Sequence, residues 1–258
     1  GFVKMRFADW NDCLNLGANN ERAETAWVPE LLYLEIQEFL EITKLLGKNK
    51  DFKKYSAVAK KIKDNFNKRA WDGRWYVRGF DKFGKAVGSS KCKEGRIYLN
   101  TQTWAVMSGI TKGKRGRVCM DMVKIYLDTK YGIMLMAPAY SEFDEKLGAI
   151  TTFRPGLKEN GGIFCHSNPW AMIAETKLGR GDRAFEYYKK ILPPTKNKIA
   201  DIHLTEGYIY SQFAAGRDNP NFGRARNSWL TGAAAWNLVA ITNYILGVRA
   251  DYKGLIID

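Results

Sequence analysis

The sequence predicts an all-α protein, a toroid or bundle built of helix hairpins, and three observations carry that expectation. Apolar residues recur at three- and four-residue spacing through most of the chain. Glycine, proline and aspartate stand between these stretches, where helices start and stop. Strand-like composition is concentrated in one short segment, and no linker-like shift divides the 258 residues, so one domain is expected.

The elements follow in order. The first twenty residues read as a loop, from Asp9-Trp10-Asn11-Asp12 through Asn15, Gly17, Asn19 and Asn20. A helix is expected over 25–46, with Leu32, Ile36, Phe39, Ile42 and Leu46 on an inward face and Gly47 as its stop. Asp51 then caps a helix carrying Phe52, Tyr55, Val58, Ile62 and Phe66, closed by Trp71-Asp72-Gly73. Residues 74–88 carry a minor β-hairpin, turning at Asp81-Lys82-Phe83-Gly84. Helices over 100–110 and 115–129 come next. Residues 131–162, with Pro138, Pro155 and Gly161-Gly162, are irregular, and a connection that long points to a functional loop. Asn168-Pro169 opens a helix that ends at Leu178-Gly179, and another runs over 182–191 to Pro193-Pro194. A short helix over 205–213 and a Gly/Asn/Pro loop over 216–227 are expected. The last helix is capped by Ser228, carries Leu230, Leu238, Ile241 and Ile245, and closes at Gly247.

Composition bounds the function. Hydrophobic residues at 45% and charged residues at 26% suit a globular chain, and no apolar run approaches the roughly 20 residues of a membrane span. The net charge of +14 comes from scattered lysines without an arginine-rich block or nucleic-acid motif, so it reads as a solvated surface. Cys13, Cys92, Cys119 and Cys165 lie far apart with no CxxC pair, so no metal site is expected. With no N-x-S/T sequon either, a cytoplasmic location is expected. The opening residues show no signal-peptide h-region and no initiator Met, as in a fragment or processed piece. Eight tryptophans and thirteen tyrosines suit sugar stacking, and aromatic core packing accounts for them equally.

Three segments could carry chemistry. In Asp9-Trp10-Asn11-Asp12, an aspartate beside an indole can hold a proton near neutrality; the same residues also serve as a capped turn. In the segment from Lys158 to His166, polar groups and a Gly pair lead to one of only two histidines, just before a helix N-terminus. That arrangement suits an anion, or a histidine bonded to loop carbonyls. Ser228-Trp229-Leu230-Thr231-Gly232 offers donors and close backbone approach, or ordinary capping. No P-loop, GxGxxG, HExxH or GxSxG pattern occurs.

Together these segments resemble the inverting disaccharide phosphorylases of glycoside hydrolase family 94, above all its cellobiose-cleaving members. The matching stretches are ADWNDCLNL (8–16), LNTQTWAVMSGI (99–110), YGIMLMAPAY (131–140), RPGLKENGGIFCHSNPWAMIAET (154–176), GRGDRAFEYYKKI (179–191) and NSWLTGAAAW (227–236). The resemblance implies that 1–258 is the C-terminal part of an (α/α)6 barrel. An N-terminal β-sandwich, a helical linker and the first half of the barrel would lie outside it. It implies reversible phosphorolysis, cellobiose plus phosphate giving α-glucose 1-phosphate and glucose. The alternatives are cellodextrin, chitobiose or laminaribiose as substrate, a cyclic glucan synthase domain, or a non-catalytic carbohydrate-binding fragment.

An inverting hydrolase needs a carboxylic acid and a second carboxylate to activate water. Phosphate is already an anionic nucleophile, so one proton donor and a phosphate cradle suffice. By resemblance, Asp12 is that donor, Trp10 lines the sugar site, and Lys158 and Glu159 face the departing sugar. His166, Gln212, Thr231 and the Gly232 backbone N–H hold phosphate. Phosphate is a co-substrate, and no cofactor is implied. The expected partners are disaccharide and phosphate, with no nucleic acid or membrane, and a homodimer of the full-length protein. The stretch from His203 to Tyr208 departs from the family's H-R-T-E-P-Y at Leu204 and Gly207.

Overall fold

The computed structural model describes residues 2–16, 22–252 and 254–258. Helices form where apolar spacing and end signals coincide. α1 (Trp27–Leu45) holds Pro29 in its first turn, where an absent N–H costs nothing, and Gly47 ends it at a φ of +64°. α2 (Asn49–Arg69) has Asp51 in its first turn and Lys68 and Arg69 in its last, matching the helix dipole. α3 (Leu99–Met107), α4 (Arg115–Tyr126), α5 (Asn168–Lys177), α6 (Gly181–Ile191), α7 (Ala200–His203) and α8 (Ala233–Val239) follow. α8 continues in wider, π-type turns to Ile245.

α1 packs on α2, α3 on α4 and α5 on α6 as hairpins, while α1, α3, α5 and α8 lie side by side. This second set is the inner row: every residue of α3 is buried, as are all residues of α5 from Asn168 to Glu175. Each inner helix contributes one tryptophan. Trp27, Trp104, Trp170 and Trp236 follow one another with ring centroids 5.9, 5.6 and 6.0 Å apart, each pair edge-to-face.

Strand content exceeds the single hairpin expected. β1 (Val3–Lys4), β2 (Glu24–Thr25), β3 (Gly79–Phe80) and β4 (Ala86–Val87) form one antiparallel sheet in that order. The expected hairpin over 74–88 is its β3–β4 arm, where Asp81 Oδ1 accepts the amides of Phe83 and Lys85. β5 (Ile97–Tyr98), β6 (Asp128–Thr129), β7 (Gly132–Ile133) and β8 (Met136–Ala137) make two pairs, β5 with β8 and β6 with β7. β9 (Ile163–Phe164), β10 (Ser211–Ala214) and β11 (Ala225–Ser228) form a second antiparallel sheet with β10 central. β12 (Val248–Asp251) and β13 (Gly254–Ile257) make a hairpin after α8.

Several expectations are corrected. The first twenty residues are not wholly a loop, since β1 pairs with β2; residues 17–20 fall outside the described residues. The short helix over 205–213 does not form: α7 ends at His203, and 211–214 is β10. Phe213 faces Phe164 on one side and Arg226 on the other, and this two-sided pairing satisfies backbone groups that local propensity alone would leave to a helix. Ser228 ends β11 opposite Ser211 rather than capping a helix; the Ala233 N–H is taken by Thr231 Oγ1 at 3.1 Å. On α1 only Ile36 of the five expected inward residues is buried, whereas Leu32, Phe39 and Ile42 are about 40% exposed and Leu46 is 65% exposed. Trp27, Glu30 and Tyr33 are buried instead. No helix among the described residues is long and apolar enough to cross a membrane.

Candidate active site

The site begins with the turn over 9–13. Asp9 points into the fold, where Oδ1 accepts the Asn11 amide at 3.0 Å and Oδ2 accepts the Thr25 hydroxyl at 2.7 Å. Arg78, wholly buried, pairs with Asp9 and also donates to Asn11 Oδ1 at 2.8 Å. This buried cluster ties the turn to β2 and to the segment before β3. With Asp9 anchored inward, the turn leaves Asp12 exposed.

The loop over 157–162 supplies the facing wall. Asn160 pins it by donating to the carbonyls of Tyr140 and Phe153 and accepting the Tyr140 amide at 2.7 Å. Gly161 has a φ of +79°, and a Cβ on Gly162 would lie 2.4 Å from the Lys158 carbonyl oxygen. The Gly pair is therefore what lets the loop double back and present Lys158 and Glu159. Glu159 is 8% exposed and its Oε2 accepts Asn11 Nδ2 at 3.1 Å. Burial pushes its carboxyl up to about 7, with the Asn11 hydrogen bond opposing and the nearby Asp12 adding to the rise. Burial, with Glu159 next in effect, lifts the neighbouring Cys13 thiol to about 11, so it stays protonated and inert near neutrality.

The third wall is built on the β9–β10–β11 sheet. His166 follows β9, and Gln212 sits in β10 with its Oε1 accepting Asn227 Nδ2 at 2.9 Å. Gly232 precedes α8 and lies so close to the imidazole that a Cβ there would be 3.0 Å from His166 Cε1. Trp10 packs edge-on to His166 and to Trp170, with centroids 5.4 and 4.9 Å away. Burial among these rings lowers the His166 pKa. Near neutrality the uncharged imidazole presents one N–H.

These walls enclose a cavity of about 390 Å³ lined by Trp10, Asp12, Lys158, Glu159, His166, Gln212, Thr231 and Gly232. All eight residues singled out from the sequence thus meet in one place. Cys13, Phe153, Phe164 and Leu230 complete the lining. The phenylalanines carried no chemical signal in the sequence, and neither did the buried Arg78. Asn11 lies between the two acids of the 9–12 motif, and its residue type alone gives it no chemical role. The departure over 203–208 lies outside this lining: His203 is buried, with Nδ1 3.2 Å from the Gly223 carbonyl oxygen, and its pKa falls to about 4 chiefly through burial. A larger cavity of about 960 Å³, between the 81–94 and 140–147 segments, contains none of the eight. Among the described residues no group of three or more His, Cys, Asp or Glu is placed to hold a metal.

Helix hairpins thus carry a cavity lined by two carboxyls and a wall of neutral donors, an arrangement suited to a catalytic domain. The chain belongs to the glycosyl hydrolase 94 superfamily, catalytic domain, which matches residues 1–247. It is 43% identical, over its whole length, to the N,N'-diacetylchitobiose phosphorylase of Vibrio proteolyticus, covering 32% of that protein. It is 36% identical over 96% of its length to the solabiose phosphorylase of Paenibacillus borealis, covering 32% of it. It is also 35% identical over its whole length to the 3-O-beta-D-glucopyranosyl-beta-D-glucuronide phosphorylase of the same organism, covering 34% of it. The chain thus spans about a third of the length of these curated relatives.

Proposed function

We propose that the full protein carrying this chain performs inverting phosphorolysis of a β-linked disaccharide, releasing an α-sugar 1-phosphate and a free sugar. The observation that carries this reading is the division of the cavity lining. Its only carboxyls among the described residues, Asp12 and Glu159, belong to the 9–13 turn and the 157–162 loop, whereas His166, Gln212, Thr231 and Gly232 contribute donors and no carboxylate. Asp12 gives its proton to the glycosidic oxygen. The departing sugar rests against Lys158 and Glu159, and Trp10 lines the site. Phosphate, held by the donor wall, attacks the anomeric carbon as the bond to the departing sugar breaks. A hydrolase would need a base beside the attacking water, and the donor wall supplies groups suited to an anion instead.

The similarity to three phosphorylases supports the same chemistry. It also moves the substrate away from cellobiose, which none of the three carries in its name. We place N,N'-diacetylchitobiose first, on the 43% identity, and cellobiose behind it. A cytoplasmic location and a homodimeric full-length protein belong to the same proposal. The test is release of α-sugar 1-phosphate from a panel of N,N'-diacetylchitobiose, cellobiose, laminaribiose and solabiose, with and without phosphate. Cleavage that proceeds equally without phosphate, or no cleavage of any of them, would overturn the reading.

A further inference from the structure

Asn11 lies between the two acids of its motif and has no exposed surface. A guanidinium can only donate, so the 2.8 Å contact from Arg78 Nη2 dictates which end of the Asn11 amide is oxygen. Asn100 Nδ2 donates to that same oxygen at 3.2 Å. The NH2 end is thereby directed at Glu159, whose Oε2 accepts it at 3.1 Å. Turning the amide over would set its NH2 against the guanidinium and its oxygen against a carboxylate. Arg78 is in turn held by Asp9 and Thr25, so the orientation is transmitted from a buried ion pair to the cavity wall.

We propose that Asn11 is a positioning residue for Glu159, holding its carboxylate in one orientation as a hydrogen-bond acceptor for the departing sugar. The inference rests on the phosphorolysis reading above, because it takes Glu159 to bind that sugar. One carboxylate oxygen accepts Asn11, which limits how the carboxylate can turn and aims its remaining acceptor sites. The other charged or titratable groups facing Glu159 are Asp12 and Cys13 of the turn, Arg78, Tyr98 and the adjacent Lys158. Of these, Cys13 also bonds Glu159 through its thiol and its backbone N–H, and Asn11 supplies the amide donor whose orientation Arg78 fixes.

The experiment uses the full-length protein in the synthetic direction, with α-sugar 1-phosphate and the free sugar varied separately. Asn11→Ala removes the donor. Asn11→Asp is isosteric and keeps an acceptor for Arg78, but sets an oxygen against Glu159. Both should raise the KM for the free sugar about tenfold or more, as expected for losing a hydrogen bond to a charged group, and leave the KM for sugar 1-phosphate within about twofold. Asn11→Asp should also move the rising limb of the pH profile for the free sugar to higher pH, because Glu159 then ionises against a neighbouring acceptor. If Asn11→Ala does not fold, the isosteric variant decides. An active wild type whose folded Asn11→Asp variant changes both KM values together, or changes neither, or keeps the wild-type pH limb, overturns this inference alone. A wild type inactive with every donor and acceptor pair overturns the phosphorolysis reading and this inference with it.

Discussion

Asp9 and Asp12 stand three residues apart, and their surroundings separate their roles. Asp9 is enclosed with Arg78, while Asp12 opens on the cavity. A leaving sugar needs a proton at its bridging oxygen, so Asp12→Asn in the full-length protein should keep substrate binding and lower turnover by about a hundredfold or more. Steady-state kinetics checks this, and near-normal turnover would rule Asp12 out. Asp9→Asn leaves Arg78 buried without its counter-charge and should cost about 3 kcal/mol of stability, read by urea unfolding. Glu159 gives a pH signature. Its carboxyl titrates at about 7 in the fold against an ordinary value of 4.5, so the folded state binds the proton more tightly. Its stabilising contribution is full below 4.5 and is lost as pH rises through about 7. Glu159→Gln should flatten that decline by an amount on the order of 3 kcal/mol. Glu30, wholly buried and also raised by burial, slopes the same way and remains in the variant.

At the scale of elements, the donor wall depends on one sheet and one helix start. β9, β10 and β11 bring the segments around His166, Gln212 and Ser228 together, and the chain then turns through Thr231 and Gly232 into α8. Gly232 has an ordinary backbone, φ −83°, so the requirement for glycine there comes from the His166 ring alone. Gly232→Ala should therefore shift the imidazole by a few tenths of an ångström. The expected result is a KM for phosphate raised about tenfold, or about 1.4 kcal/mol, with an unchanged unfolding midpoint. A midpoint that falls sharply with an unaltered KM would refute the contact. This wall was legible in the sequence as residue types and spacing, since a histidine before Asn168-Pro169 and a Thr-Gly before an apolar helix both suit an anion. The strands that join them were not. Residues 205–213 and Ser228 carry weak local preference, and only pairing with Phe164 and Ser211, far away in sequence, makes strands of 211–214 and 225–228.

For the whole molecule, the inner row of helices forms the continuous core beneath the cavity, with Trp27, Trp104 and Trp170 inside it and Trp236 packed against it. The opposite circumstance holds on α1 and at its end, where Leu32, Phe39, Ile42 and Leu46 stay partly to mostly exposed, as does Phe52 of α2 in the same hairpin. An apolar surface of this kind drives association. The 258-residue chain expressed alone should show concentration-dependent association in sedimentation velocity despite its net charge of +14, and Phe39→Glu with Ile42→Lys should suppress it. A wild-type chain that stays monomeric as concentration rises would count against the patch.

Local pattern by itself determined the longer helices, because periodicity, first-turn acids and Gly or Pro stops are written within a few residues of where they act; it failed at 205–213 and at Ser228. It also held seven of the eight expected site residues in short motifs, whereas Gln212 and the role of each residue came from the family resemblance alone. Tertiary structure decided what those motifs could not contain. Which aspartate turns inward depends on Arg78, sixty-nine residues from Asp9. The Glu159 pKa depends on burial and on Asn11, 148 residues away. Which side of α1 is buried depends on where α3 packs, and an apolar stripe carries no record of that. Periodicity records that a face is apolar, whereas burial, orientation and charge state arise only when distant segments exclude water together.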